Sequence, residues 1–278
     1  MTGDCLGVHH IGTNSMADVQ NMMRSKYVQS ETVGAYRFAK ELLDKDNPVL
    51  FSGTPCQIAG LKRYLQKEYP KLYTQDIVCH GVPSAGLWAK YAGEKVKRAG
   101  ANMQHVSFRD KTKGWKSYSV SYCFTNGKQQ KAYGSDDLYM RAMISNLSLR
   151  ESCFECQFKG AFTQSDITLG DFWEIDNVAP EMNDGMGCSL ILIQTYKGQW
   201  LIEQIRDKCC QFEVPVEQLH LEGSMRYHSV PFNLRREQFL KDAMTRSTIE
   251  TLACYCGEGV GSKMKKTAWR LLREMGVK

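Results

Sequence analysis

Two short apolar runs organise the first part of the chain. Val49-Leu50-Phe51 is one, and Asp76-Ile-Val78 closes the other. Between them, Pro55 to Tyr69 carries Ile58, Leu61 and Leu65 at helical spacing. Strand, helix and strand over about 30 residues make a βαβ unit, so the spacing predicts parallel strands about 4.8 Å apart. Each run leads straight into a cysteine, in Phe51-Ser-Gly-Thr-Pro-Cys-Gln57 and in Asp76-Ile-Val-Cys-His-Gly81. Cys56 and Cys79 are therefore expected at the same carboxyl edge of the sheet, where α/β proteins build their sites.

The start of the helix adds chemistry. Thr54 suits the N-cap, Pro55 the first helical position, and Gln57 completes a Thr-x-x-Gln capping box. Cys56 then falls in the first turn, where the helix dipole favours a thiolate. A buried structural thiol is the alternative for either cysteine taken alone.

The same patterning continues along the chain. Cys5 to Ile11 reads as a strand and about Thr32 to Asp44 as a helix. Ser25-Lys-Tyr-Val-Gln-Ser30, before that helix, is either a phosphate-binding turn using Lys26 or an ordinary solvated one. Pro83-Ser84 opens a helix to about Ala99, with Leu87, Trp88, Tyr91 and Val96 inward. Met103 to Phe108 and Lys116 to Phe124 read as strands. Asn126-Gly127 predicts a hairpin to Lys128–Tyr133, an antiparallel excursion from the α/β core. A short helix follows at Leu138–Leu147, with Met140, Met143 and Ile144 inward. Ile167–Leu169 is a strand ending in a Gly170-Asp171 turn, where Asp171 orients a ligand or caps the turn. Cys188–Thr195 is an apolar strand, Lys197 to Cys210 a helix and Gln211–Val216 a short strand. Phe232–Cys256 is mostly helical. A basic amphipathic helix is expected over Lys263–Met275.

Composition narrows the function. Hydrophobic residues make up 42% and charged residues 24% of the 278, as in an ordinary globular protein. No apolar run approaches a transmembrane helix and no signal peptide is visible, so a cytoplasmic protein without membrane insertion is expected. The net charge of +6 gathers partly in the last helix and does not call for nucleic acid. Eleven cysteines in a reducing compartment point to metal or redox chemistry rather than a disulfide framework. Cys153 and Cys156, in Cys-x-x-Cys spacing, serve zinc, an iron–sulfur cluster or a thiol pair alike. Their polar flanks disfavour a thioredoxin-like pair. A four-cysteine zinc site usually draws on two close pairs, whereas a cubane cluster tolerates one pair and two dispersed cysteines. Cys123, Cys188, Cys209, Cys210 and Cys254 share no common edge and read as ordinary thiols; Cys254-Tyr-Cys256 has poor cluster spacing.

Several strings, in order, resemble the beta subunits of coenzyme F420 hydrogenase/dehydrogenase. They are Ser25 to Ser30, Phe51 to Leu61, Asp76 to Ser84, Phe108-Arg-Asp-Lys111 with Gly114-Trp115, Cys153 to Cys156, and Asp166 to Trp173, spanning about residues 25 to 200. The patterning reads as an α/β fold with a mainly parallel sheet, and the resemblance implies an iron–sulfur flavoprotein oxidoreductase. Such a protein passes electrons between a [4Fe-4S] cluster, FAD and a deazaflavin (F420) or other soluble acceptor. Cys56, Cys79, Cys153 and Cys156 are the implied cluster ligands. Lys26, Thr54, Gln57, His80 and Gly81 are the flavin-side candidates around that edge; His80 alternatively donates to a cluster sulfur.

Family members commonly carry a ferredoxin-like module ahead of this region. This sequence lacks its Cys-x-x-Cys-x-x-Cys array and the Ser/Gly-rich segment before the first strand, so its N-terminus reads as truncated. A ferredoxin-like module or another redox subunit is the expected partner. Residues 1–215 are expected to form the family domain and 216–278 a helical extension. The alternative is a metal-stabilised docking or electron-transfer subunit that keeps the fold without flavin.

Overall fold

The computed structural model describes residues 1–161, 163–219 and 221–257. The basic helix expected over Lys263–Met275 lies outside them. The chain opens with α1 (Met16–Met22) and α2 (Val33–Asp44), then β1 (Val49–Ser52), α3 (Pro55–Leu65) and β2 (Leu72–Ile77). Strands β1 and β2 pair in parallel, Phe51 opposite Thr74, as the βαβ pattern requires. Helix α3 stops earlier than its apolar spacing suggests, because Gln66 takes a left-handed conformation at φ 58°. Ile58, Leu61 and Leu65 pack on Phe51 and Leu72 from above, with Ala39 and Leu43 of α2. Burying each of the larger side chains is worth about 1.5–3 kcal/mol.

Next come α4 (Ala85–Ala99), β3 (Met103–Asp110), β4 (Ser119–Phe124), β5 (Gln129–Tyr133) and α5 (Leu138–Ile144). Ser84 caps α4 by accepting from the Leu87 N–H at 3.3 Å. Strands β3, β4 and β5 form a separate antiparallel sheet, turned at Gly127, whose φ of 80° suits glycine. The largest core lies between this sheet and the helices, built on Trp88, Tyr91, Phe108, Tyr122 and Tyr139. Ile144 departs from expectation. Helix α5 ends there, and the side chain is 53% exposed on the face away from Met140 and Met143.

The chain then returns to the first sheet through β6 (Ile167–Asp171), which adds in parallel to β2. After α6 (Ile175–Val178), β7 (Ser189–Ile193) closes the order β1-β2-β6-β7, antiparallel to β6. Gly170 and Asp171 continue β6 rather than turning. A Cβ on Gly170 would lie 3.0 Å from Val78 Cγ2, so glycine here serves a close approach. Helix α7 (Tyr196–Glu203) is shorter than expected, and a single 3-10 turn follows at Arg206–Lys208.

Two expected strands do not form. Cys5–Ile11 makes only an isolated parallel bridge between His9 and Glu31, after a tight turn in which Cys5 has φ 58°. Gln211–Val216 is irregular. Its alternation is satisfied by Val214 packing beside Phe172 and Leu219, while Pro215 cannot donate to a ladder. Helices α8 (Arg236–Thr245) and α9 (Thr248–Cys256) complete the described chain; α9 packs on α4 and α5, and α8 packs on α9. The architecture is thus α/β, with a mainly parallel sheet, an antiparallel excursion and a helical C-terminal region. Among the described residues no helix is long and apolar enough to cross a membrane.

Candidate functional site: a four-thiol cavity at the sheet edge

Cys56, Cys79, Cys153 and Cys156 line one cavity. Three separate segments bring them there. Cys56 sits in the first turn of α3, just past β1, and Cys79 lies two residues past β2. The parallel pairing of β1 and β2 delivers both to the same edge. The Gln57 half of the capping box is closed, with the Thr54 N–H donating to Gln57 Oε1 at 2.9 Å. The Thr54 hydroxyl turns instead to the Cys56 sulfur, 3.1 Å away.

The Cys-x-x-Cys segment reaches the edge by a short clamp. Pro83 and Leu149 form an isolated antiparallel bridge. Beside it, Ser84 N–H donates to Ser148 O at 2.9 Å, and Arg150 N–H donates to Val82 O at 2.9 Å. A 3-10 turn, Glu151–Cys153, then aims Cys153 at the cavity. Gly81 allows this approach: a Cβ there would meet Leu149 Cδ1 at 2.9 Å and Cys153 Cβ at 3.4 Å. The Val82 N–H donates to Cys153 Sγ at 3.4 Å, a contact that stabilises a thiolate.

Residues beyond any sequence motif roof the cavity. Met225 and Arg226 line it, and Ser229 Oγ accepts from the Cys156 N–H at 2.9 Å. Gly160 N–H donates to Arg226 O at 2.9 Å. Lys159, three residues past Cys156, donates from Nζ to the carbonyl oxygens of Cys79 and Met225, the second at 2.5 Å. Lys159, Met225, Arg226 and Ser229 carried no signal in the sequence, being loop residues without periodicity.

The electrostatics mark the thiols as a group. Burial pushes the Cys79 thiol up to about 12; Lys159 opposes this, and the other three cysteines reinforce it. Burial also raises Cys153, against the Val82 N–H. The sulfurs line the cavity without converging on one point. Among the described residues no three His, Cys, Asp or Glu are grouped around a single ion. As a donor set, four thiols from three segments, with an N–H on one sulfur and a lysine alongside, fit a polynuclear iron–sulfur group.

The expected flavin-side residues divide. His80 and Gly81 line the cavity. His80 Nε2 faces Asn146 Oδ1 at 2.8 Å and Nδ1 faces Met225 Sδ at 3.0 Å. Asn146 Nδ2 donates to Pro231 O, so its Oδ1 is the acceptor and His80 Nε2 carries the proton. Burial lowers the His80 pKa, against the hydrogen bond to Asn146. Thr54 and Gln57 flank Cys56 at the start of α3. Gln57 Nε2 donates to Ser30 Oγ at 2.9 Å, which ties in the Ser25–Ser30 turn. Lys26 is folded back on the end of α1, donating to Met22 O at 3.0 Å and Met23 O at 2.9 Å.

Asp171 orients Arg109 through a 2.6 Å ion pair that joins the two sheets, and Trp115 packs on Trp173 with ring centroids 4.5 Å apart. Cys5 and Cys256 are buried away from the site, while Cys209, Cys210 and Cys254 are exposed.

No curated protein matches the chain by sequence. Among solved structures it is similar to a chain of the F420-reducing [NiFe] hydrogenase complex from Methanosarcina barkeri. That likeness has 14% identity and a TM-score of 0.45, over 87% of this chain and 77% of that one. The family model for the C terminus of the coenzyme F420 hydrogenase/dehydrogenase beta subunit matches residues 46–218. This span holds all four cavity cysteines and the whole parallel sheet, and the chain belongs to that family.

Proposed function

We propose that this chain is an iron–sulfur redox subunit of the hydrogenase/dehydrogenase type, in which Cys56, Cys79, Cys153 and Cys156 hold a [4Fe-4S] cluster. It exchanges electrons with FAD and, beyond it, with a deazaflavin (F420) or another soluble acceptor. The observation that carries the reading is the meeting of these thiols, from three segments, in one cavity. A bound cluster supplies one-electron transfer. The chain's own residues do the rest. The four cysteines give up their protons, the Val82 N–H and the Lys159 ammonium offset the negative charge, and Met225 and Arg226 limit water. A redox partner subunit fits this role. Residues 1–215 would act as the family domain and 216–278 as its extension, of which Met225, Arg226 and Ser229 roof the cavity. The environment this chemistry suits is the cytoplasm.

A second reading is a docking or electron-transfer subunit that keeps the cluster but binds no flavin itself. One observation favours it. The polar ends of Lys26, Gln57 and His80 are already engaged with other protein groups.

Analysis of one anaerobic preparation tests both. The cluster reading expects brown protein with about four iron and four sulfide per chain. Zinc without sulfide would sink it. Iron and sulfide with no flavin spectrum after reconstitution with FAD would favour the second reading over the first.

A further inference from the structure

Lys159 stands out among the cations near the cavity. Its ammonium bridges the two walls of the site, touching the Cys79 carbonyl on the sheet edge and the Met225 carbonyl on the roof. Among the described residues no carboxylate lies within ion-pair distance of it. The other cation at the cavity, Arg226, is engaged elsewhere. It donates to Thr168 Oγ1 at 3.0 Å and Ala161 O at 2.7 Å, with the buried Asp76 carboxylate as its counter-charge.

We infer that Lys159 is a positioning residue of the thiol site: it holds residues 224–229 over the cavity and supplies the uncompensated positive charge that sets the site's reduction potential. This rests on the iron–sulfur reading. An unpaired cation in a partly buried cavity is costly, and four thiolates with a cluster carry the negative charge that offsets it. The oxidised site accepts one electron and no proton, so reduction adds one negative charge. Lys159 stabilises that added charge and so raises the potential. The roof is coupled to the same contact. Losing the ammonium removes one tie to Met225 and leaves those through Gly160, Ser229 and Arg226.

The test compares full-length wild type with Lys159→Met and Lys159→Arg. Iron and sulfide are counted first, and the midpoint potential is then read by electron paramagnetic resonance during titration with dithionite as one-electron donor. Lys159→Met is expected to keep its iron and to be harder to reduce by about tenfold, which is 59 mV for one electron. It should also release iron to a chelator faster. Lys159→Arg should restore the potential. Should Lys159→Met lose its iron, Lys159→Gln, which keeps a donor to the Cys79 carbonyl, carries the comparison. A neutral variant with full iron and an unchanged potential overturns the inference, as does an equal shift in the arginine variant. Wild type without iron and sulfide overturns the cluster reading itself, and the inference with it.

Discussion

Replacing Gly81 with alanine removes no ligand and no charge, yet it should loosen the site. The added Cβ would stand 2.9 Å from Leu149 Cδ1 and 3.4 Å from Cys153 Cβ. A flexible exposed side chain would swing away, but Leu149 is fully buried. Its backbone is held too: Leu149 bridges Pro83, and its carbonyl accepts from Arg236 Nε and Nη2 at 3.0 and 2.8 Å. The 149–153 segment must therefore move as a unit, carrying Cys153 with it. Overpacking of this kind costs about 1–3 kcal/mol. If all of it falls on the closed site, the ratio of closed to open forms drops about five- to 150-fold. Urea unfolding of the metal-free protein reads the stability loss, and release of iron to a chelator reads the opening. Wild-type stability and wild-type iron release together would refute the close-approach argument. Lower stability with unchanged iron release would show that Gly81 supports the fold but does not hold Cys153 in place.

Cys56→Ser and Cys79→Ser should each abolish or severely weaken iron binding, whereas Cys5→Ser and the double Cys254→Ser, Cys256→Ser variant should keep it. Full iron in Cys56→Ser alone would separate the two edge cysteines, and iron loss in the double variant would show a wrong ligand set. Thr54→Val removes the hydroxyl 3.1 Å from the Cys56 sulfur, so iron release should quicken although no ligand is lost; unchanged release would refute the coupling. Asp76 gives a pH test. It is fully buried, its Oδ2 has no hydrogen-bond partner, and burial raises its pKa above 3.8 against the Thr168, Thr163 and Ser165 hydroxyls. The folded state therefore holds this proton to higher pH than the unfolded chain. Its contribution is fully present below 3.8 and is lost as pH rises through the raised value. Asp76→Asn should accordingly gain stability relative to wild type between acid and neutral pH, measured by urea unfolding of the metal-free protein; a difference independent of pH would refute this.

The βαβ unit was legible because its signals are local and agree. Short apolar runs, a Thr-x-x-Gln box and period-3.6 residues all fall within Val49–Ile77. From that alone Cys56 and Cys79 could be set at one edge. Failures came where an apolar alternation was satisfied by something other than a ladder. Phe212 and Val214 alternate like a strand but dock on the cluster around Phe172. Gly170 looks like a turn and is instead the place where Val78 comes close. The roof was illegible for a different reason. Met225, Arg226 and Ser229 matter through contacts with residues about 60 to 145 positions away, and no spacing rule reports such contacts.

The family-like strings therefore divide by what they do in space. Phe51 to Leu61, Asp76 to Ser84 and Cys153 to Cys156 meet at the thiol cavity. Phe108 to Trp115 and Asp166 to Trp173 meet each other, through the Arg109–Asp171 pair and the tilted Trp115–Trp173 ring contact. That second meeting joins β3 of the antiparallel sheet to β6 of the parallel one. Strand β6 in turn pairs with β2, the strand that carries Cys79 to the edge. A polar seam reinforces that pairing inside the sheet. The buried Thr74 donates to Asp166 from both its N–H and its hydroxyl, at 2.7 and 2.8 Å, and Thr168 donates to Asp76. Buried polar groups satisfied in this way fix one register, because a slip by one residue would strand each of them without a partner. The register of β2 is therefore set from both sides, by β1 and by the β6 seam. Residues with no contact to the thiols, Asp166 and Thr74 among them, thus help decide where Cys79 stands.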